Sequence, residues 1–284
     1  MSILTAIVEN TVRRVAERRV RVPEGELAAR IRHAAPTRSF RDAIARGFGV
    51  IAEHKRRSPS GGPMEPSNVA RAYETYAAAP WVVALSVLTD EDYFAGSLDD
   101  LGVARERVKK PILRKDFIVD DYQVLEARAF GADAILLMAS VLADRPGRMQ
   151  SLYELARSLD LDVLVELGAA ERRLEDLVAL VPPGAQIVGI NARVFATSKP
   201  GNDADPSARH SLPTDLRQHR AYRGLVPASA LAVAESGITT LEELASVRDA
   251  GYHAALIGTA FLKGPRDIGV VADELGALFR ENSR

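Results

Sequence analysis

The chain has 284 residues and a formal charge of -1 at pH 7, with 47 % hydrophobic, 26 % charged and 6 % aromatic residues. That is the composition of an ordinary globular protein, and it excludes disorder and collagen-like repeats. Near-neutral charge lacks the concentrated basic face that displaces counterions from phosphates, so no nucleic-acid partner is expected. The chain has no cysteine, which excludes disulfides, thiolate nucleophiles and cysteine-ligated zinc.

The opening MSILTAIVENTVRR meets Glu9 after a short apolar run and lacks the apolar core of a secretory signal. No stretch reaches the roughly 18 uncharged apolar residues that span a bilayer. A soluble, cytoplasmic protein with no membrane partner is the expectation. Within residues 1–46, Ile3, Leu4, Ile7, Val8, Val12 and Val15 fall at roughly helical spacing. This predicts a helical extension packed on the following domain rather than a membrane anchor.

From residue 47 onward, short apolar runs alternate with helical patterns. The runs are GVIAEHK (49–55), VVALSV (82–87), PILRKDF (111–117), AILLMAS (134–140), DVLVEL (162–167), IVGIN (187–191), LAVAESG (231–237) and AALIG (254–258). Between them lie NVARAYETYAAA, YQVLEARAFG, MQSLYELARSL, AAERRLEDLVAL and TLEELASVRDAG. Eight strands without clean polar alternation imply parallel strands covered on both faces. A (β/α)8 TIM barrel over residues 47–284, forming a single catalytic domain, is the predicted α/β fold; such barrels commonly take about 250 residues. An open doubly wound sheet is the alternative, but its glycine-rich first turn is missing, since KRRSPSGG does not fit GxGxxG.

In a barrel the active site lies at the carboxyl ends of the strands, so polar residues that end apolar runs carry the information. Glu53 and Lys55 end the first run on one face by period two. Lys115 ends the third, Glu166 the fifth, Asn191 with Arg193 the sixth, and Glu235 with Ser236 the seventh. Any one of these alone reads as a solvated strand end; their convergence reads as a site. Only six of the 37 basic residues are lysines, Lys55, Lys109, Lys110, Lys115, Lys199 and Lys263. Arginine holds its proton at any working pH, whereas a partly buried lysine can be tuned, so lysines at strand ends suggest acid–base work. A lowered Lys115 pKa is the corresponding expectation, neighbouring cations lowering it and Glu53 counterbalancing them.

The seventh and eighth runs lead into SGI and GTAF, where barrels often hold a phosphate against small residues. Ser236, Gly237, Gly258 and Thr259 are the candidates. Phe94 and Phe117, after the second and third runs, could wall an aromatic pocket. The five histidines show no metal-ligand spacing and no carboxylate cluster resembles a magnesium site, so no metal is expected. No GxSxG elbow is present.

IAEHKRRSPSGG (51–62), LSVLTDEDYFAGS (85–97), PILRKDFIVDDYQVLEARAFGADAILLM (111–138), VGIN with Arg193, and VAESGI (233–238) closely resemble indole-3-glycerol phosphate synthases of tryptophan biosynthesis. These long, ordered motifs span nearly all of residues 37–265, and the N-terminal helix is similar to the extension of that family. The resemblance implies ring closure of 1-(2-carboxyphenylamino)-1-deoxyribulose 5-phosphate, with loss of carbon dioxide and water, and no cofactor. It implies Lys115 as general acid and Glu166 as the base assisting dehydration. It places Lys55, paired with Glu53, near the carboxylate and leaving hydroxyl, and Asn191 as a hydrogen-bonding group. Ser58 and Arg193 fall on the carboxylate side, Phe94 and Phe117 in the anthranilate pocket, and Glu235 among the substrate-binding residues. Ser236, Gly237, Gly258 and Thr259 form the phosphate cradle. Other tryptophan-pathway enzymes are possible partners.

Two departures stand out. Val194 and Phe195 follow Arg193 where the family carries a polar residue and leucine, and residues 196–227 are longer and more polar than the usual connection. Such a loop at the catalytic mouth could be a lid, a partner surface or a changed specificity determinant. A paralogue acting on a modified anthranilate, or a non-catalytic barrel subunit, are the alternatives; against the latter, a dead site has no physical need to retain buried charges that cost desolvation.

Overall fold

The computed structural model describes residues 3–59, 61–145, 147–168, 174–193 and 214–280. The eight runs form eight parallel strands: β1 (Gly49–His54), β2 (Val82–Leu88), β3 (Ile112–Lys115), β4 (Ala134–Met138), β5 (Asp162–Gly168), β6 (Ile187–Asn191), β7 (Leu231–Glu235) and β8 (Ala254–Ile257). They close in the order β1-β8-β7-β6-β5-β4-β3-β2, so the TIM barrel stands and the doubly wound sheet falls. Every residue of β1, β4, β5, β6 and β8 is buried, which is why these runs lack a polar face.

Several strands end a residue or more earlier than the apolar runs suggest. Ala139 and Ser140 already belong to the one-turn helix Ala139–Leu142. After β7, Ser236 and Gly237 take positive φ of 68° and 84°, turning the backbone out of the sheet. The left-handed region is unfavourable for a serine and ordinary for a glycine.

The N-terminal extension is helical: α1 (Ile3–Arg21), α2 (Glu24–His33) and α3 (Phe40–Ala45). On α1 the buried stripe is Leu4, Ile7, Thr11 and Val15, while Val12 is 46 % exposed. The expected apolar face was thus drawn too wide. At position 11 a threonine is accepted because its hydroxyl donates to the Ile7 carbonyl at 3.0 Å. Of the other helical patterns, Pro66–Ala78, Asp121–Ala129, Arg148–Ser158 and Leu241–Asp249 form as read. Of AAERRLEDLVAL, Leu174–Val178 is helical, and residues 169–173 lie outside the described residues. No helix among the described residues is long and apolar enough to cross a membrane.

Beneath the barrel, at the amino ends of the strands, Asp133 is fully buried. It accepts the backbone N–H of Ile112 at 2.9 Å and of Arg38 at 2.8 Å, and the Arg105 guanidinium at 2.7 Å. One carboxylate thereby ties the start of β3 and the segment entering the barrel to the helix Asp99–Arg107. Asp162 does the same for α3, accepting the Arg41 N–H at 2.9 Å and the Arg157 guanidinium at 2.6 Å. Removing one partner of a buried ion pair leaves the other uncompensated. Asp133→Ala is therefore expected to lower unfolding free energy by about 3 kcal/mol, read as a shifted urea midpoint at pH 7. Because Asp133 lies at the end opposite the mouth, the kinetic constants of the folded fraction are expected to stay unchanged.

Candidate active site

At the carboxyl ends of the strands lies a cavity of about 460 Å³. All the candidate residues line it: Glu53, Lys55, Ser58, Phe94, Lys115, Phe117, Glu166, Asn191, Arg193, Glu235, Ser236, Gly237, Gly258 and Thr259. Period two along parallel strands aims alternate side chains inward, and the last inward residue of several strands here is charged.

Two lysines organise the floor. Lys55 donates to Glu53 in a short ion pair buried on both sides, and to Thr259 Oγ1 at 3.2 Å. Lys115 donates to Glu166 Oε2 at 3.2 Å and to Glu235 Oε2 at 3.1 Å. Both carboxylates are 1 % exposed, and the Oε1 atom of each has no hydrogen-bond partner among the described residues. Burial would raise the Glu53 pKa, but the ammonium groups of Lys55 and Lys115 outweigh it and hold Glu53 below its ordinary value. For Lys115, burial works against the charge, but Glu235, Glu166 and Glu53 together raise its pKa. This corrects the expectation of a lowered value: three carboxylates face that ammonium, and opposite charge favours the charged form. Burial pushes Glu235 up to about 8, with Lys115 pulling the other way and Glu166 adding to the rise.

Two glycines make room for these carboxylates. A Cβ at Gly189 on β6 would fall 2.1 Å from Glu235 Oε1, and a Cβ at Gly258 would fall 2.3 Å from Glu53 Oε1. Gly258, read from sequence as a phosphate-cradle glycine, lines the cavity and also provides the gap in which Glu53 lies.

On the β2–β3 side, Phe94 and Phe117 face each other with ring centroids 6.2 Å apart. Opposite, Ser236, Gly237, Gly258 and Thr259 follow β7 and β8. The amide oxygen of Asn191 accepts the Arg193 N–H at 3.0 Å. Ser58 Oγ accepts the Gly61 N–H at 3.1 Å and lies on the β1–β8 side, whereas Arg193 follows β6.

Sequence reasoning passed over several lining residues, Lys263 and Thr214 among them. Lys263 follows the one-turn helix Thr259–Leu262 and lines the cavity, its Nζ 3.5 Å from where a Gly61 Cβ would stand. The scarcity of lysine had marked it, but no strand end pointed to it. Thr214 lines the cavity too, paired with Arg193 in an isolated antiparallel bridge. Just beyond it, Leu216 packs where a Gly237 Cβ would meet its Cδ2 at 2.8 Å. Residues 214–216 therefore lie against Gly237 and lead into the helix Arg217–Tyr222. There the buried His219 ring meets the Glu235 carbonyl at 3.0 Å. Val194, Phe195 and the rest of 194–213 lie outside the described residues.

A parallel barrel whose mouth sets two lysines among three buried glutamates is the build of a barrel enzyme that moves protons. The chain belongs to the indole-3-glycerol phosphate synthase family: the family model of that description matches residues 4–269. It is 42 % identical over 248 residues to the indole-3-glycerol phosphate synthase of Polaromonas naphthalenivorans, covering 86 % of this chain and 82 % of that protein. To that of Magnetococcus marinus it is 37 % identical over 288 residues, covering 97 % and 98 %. Among solved structures, 3-hexulose-6-phosphate synthase is similar with a TM-score of 0.53 at 17 % identity, over 81 % of this chain and 98 % of that one. That likeness is one of fold alone.

The elevated Glu235 pKa has a consequence for stability. Between the ordinary value of 4.5 and about 8, the folded state holds a proton that the unfolded chain has released, so stability falls as pH rises through that window. The slope from this group is at most about 1.4 kcal/mol per pH unit. Glu235→Gln cannot titrate, and its urea-unfolding free energy is expected to decline less from pH 5 to pH 8 than that of the wild type. Parallel curves for the two proteins would refute a raised Glu235 pKa.

Proposed function

We propose that this member of the family closes the indole ring of 1-(2-carboxyphenylamino)-1-deoxyribulose 5-phosphate, releasing carbon dioxide and water to give indole-3-glycerol phosphate. The observation that carries the reading is the position of Lys115. Its ammonium is held between Glu166 and Glu235 in a cavity with an aromatic wall at one side and small-residue loops at the other. A substrate with an aryl ring at one end and a phosphate at the other matches that layout. A phosphate bound away from the reacting atoms supplies positioning energy for the cyclisation.

In the first step the ring carbon bearing the carboxylate attacks the substrate carbonyl carbon. Lys115 gives a proton to the carbonyl oxygen, which becomes a hydroxyl. The raised pKa keeps Lys115 protonated through the working pH range, so it enters as an acid and not as a base. The bond to the carboxylate then breaks, carbon dioxide departs, and the electron pair left behind restores the aromatic ring. Loss of the hydroxyl as water completes the indole. Glu166 takes the proton released in this dehydration, and Lys55, held by Glu53, protonates the departing hydroxyl. Asn191 orients the substrate through its N–H groups, and Arg193 and Ser58 attract the carboxylate. Phe94 and Phe117 enclose the aryl ring; Glu235 holds Lys115 and meets the substrate. Ser236, Gly237, Gly258 and Thr259 receive the phosphate. A charged, phosphorylated intermediate of biosynthesis suits a cytoplasmic enzyme.

The test is the appearance of indole fluorescence when the purified protein meets this substrate without added metal or nucleotide. Wild-type protein is expected to turn over, and Lys115→Ala to lose at least about 10²-fold in kcat, the lower range for removing a positioned general acid. Equal rates in the two proteins would show that the chemistry does not run through Lys115. No turnover by a wild-type protein that still binds the substrate would move the reading to a modified substrate or a non-catalytic barrel.

A further inference from the structure

Arg114 and Lys115 are neighbours on β3, and strand alternation sends them to opposite faces. Lys115 looks into the cavity. Arg114 looks into the helix layer, where it is fully buried. Its Nε donates to Thr89 Oγ1 at 3.1 Å and one terminal nitrogen to the Gln123 carbonyl at 2.6 Å. The other terminal nitrogen donates to Asp116 Oδ2 at 2.8 Å and Glu126 Oε2 at 3.2 Å. Asp116 Oδ1 in turn accepts the Phe117 N–H at 2.8 Å. The residues immediately before and after Lys115 are therefore clamped together, and the clamp extends to the backbone of Phe117, whose ring belongs to the aromatic wall.

One guanidinium against two carboxylates leaves this buried cluster with one negative charge in excess. The missing cation comes from α1. Arg18 donates through Nε to Glu126 Oε1 at 2.6 Å and through a terminal nitrogen to Glu126 Oε2 at 3.1 Å, while Glu126 is only 2 % exposed. A bidentate pair of this kind fixes geometry as well as charge. With Arg18 in place the cluster holds two cations and two anions. Burial opposes the Asp116 charge, yet Arg114, Thr89 and, more weakly, Arg18 keep its pKa below the ordinary value.

One turn earlier, the same face of α1 grips the loop after β2. Arg14 donates to both oxygens of Asp92, at 2.8 and 2.7 Å, and Asn10 adds a third bond at 2.7 Å. Asp92 belongs to the turn Glu91–Phe94, capped by Asp90, which accepts the N–H groups of Tyr93 and Phe94. Positions 10, 14 and 18 repeat every four residues and so share one face of the helix. From that face one arm reaches Phe94, and the other reaches Lys115 and Phe117.

We propose that Arg18 and Arg14 are positioning residues for the reaction: through Glu126 and Arg114, Arg18 sets Lys115 and Phe117, and through Asp92, Arg14 sets Phe94. The proposal deepens the functional reading above and rests on it for its kinetic arm. The helical extension is thus part of the working site, acting from behind the strand that carries the acid.

The experiment compares full-length Arg18→Met, Glu126→Gln, their double variant, Arg14→Met and, as a control at an exposed position of α1, Arg21→Met. Rates are measured on the folded fraction at 25 °C. Arg18→Met is expected to lower kcat about tenfold, well within what a misplaced catalytic group can cost. Glu126→Gln should do likewise. The double variant removes one cation and one anion and is expected to recover kcat several-fold over the worse single variant, a coupling that additive damage does not give. Arg14→Met is expected to raise KM with kcat within about twofold, and Arg21→Met to change neither. If Arg18→Met does not fold, Arg18→Lys, which keeps the charge and loses the fork, is expected at an intermediate kcat. Variants that melt earlier but keep wild-type kcat and KM, or a double variant no better than its worse parent, would overturn the proposal. An arm independent of turnover is amine labelling read by mass spectrometry, in which Arg18→Met should raise the labelling rate of Lys115 relative to Lys110. A wild type that does not turn over would sink the functional reading. In that case unchanged Lys115 labelling would separately sink the positioning role.

Discussion

Two lysines and three glutamates are withdrawn from water at one end of the barrel, and almost everything else about the mouth follows from the need to keep them neutral together. An isolated buried charge costs several kcal/mol, whereas a paired and hydrogen-bonded one is tolerated. Lys55 answers Glu53, and Lys115 answers Glu166. Glu235 shares Lys115 with Glu166, and burial, with the Glu166 carboxylate beside it, raises its pKa to about 8. A proton retained there relieves the repulsion between neighbouring buried carboxylates. The facing carboxylates keep Lys115 charged and available as a donor.

The barrel makes this crowding sterically feasible through two missing side chains. Gly189 and Gly258 each leave open the volume that a glutamate carboxylate occupies, so the carboxylates settle between strands instead of filling the cavity. Behind β3 lies a second buried charge cluster, built on Arg114 and closed by Arg18 from α1. The two clusters stand on opposite faces of one strand, linked by the peptide between residues 114 and 115. A helix outside the barrel is thereby tied to a side chain inside it through covalent geometry and ion pairs, without long loops.

Much of the fold and the site could be read from the sequence because both rest on short-range periodicity. Buried parallel strands need unbroken apolar runs, and catalytic groups must end those runs, so Glu53, Lys55, Lys115, Glu166, Asn191 and Glu235 were visible as polar residues in the wrong company. Other features depended on partners distant in sequence. Val12 looks as apolar as Val15, and only the packing of α1 against the barrel shows which faces solvent. Lys263 ends no strand; a one-turn helix brings it to the mouth. The direction of the Lys115 shift was misjudged because it is decided by Glu166 and Glu235, 51 and 120 residues away.

By itself, then, the sequence determined the alternation of elements, the closed parallel architecture and the identity of the groups at the strand ends, since each depends on spacings of two to four residues. The tertiary structure alone decided how those groups pair, which glycines give way to a carboxylate, and that α1 reaches the back of the strand that carries Lys115. Charge interactions across the barrel depend on distance and burial between residues far apart in the chain, and those quantities exist only once the chain has closed.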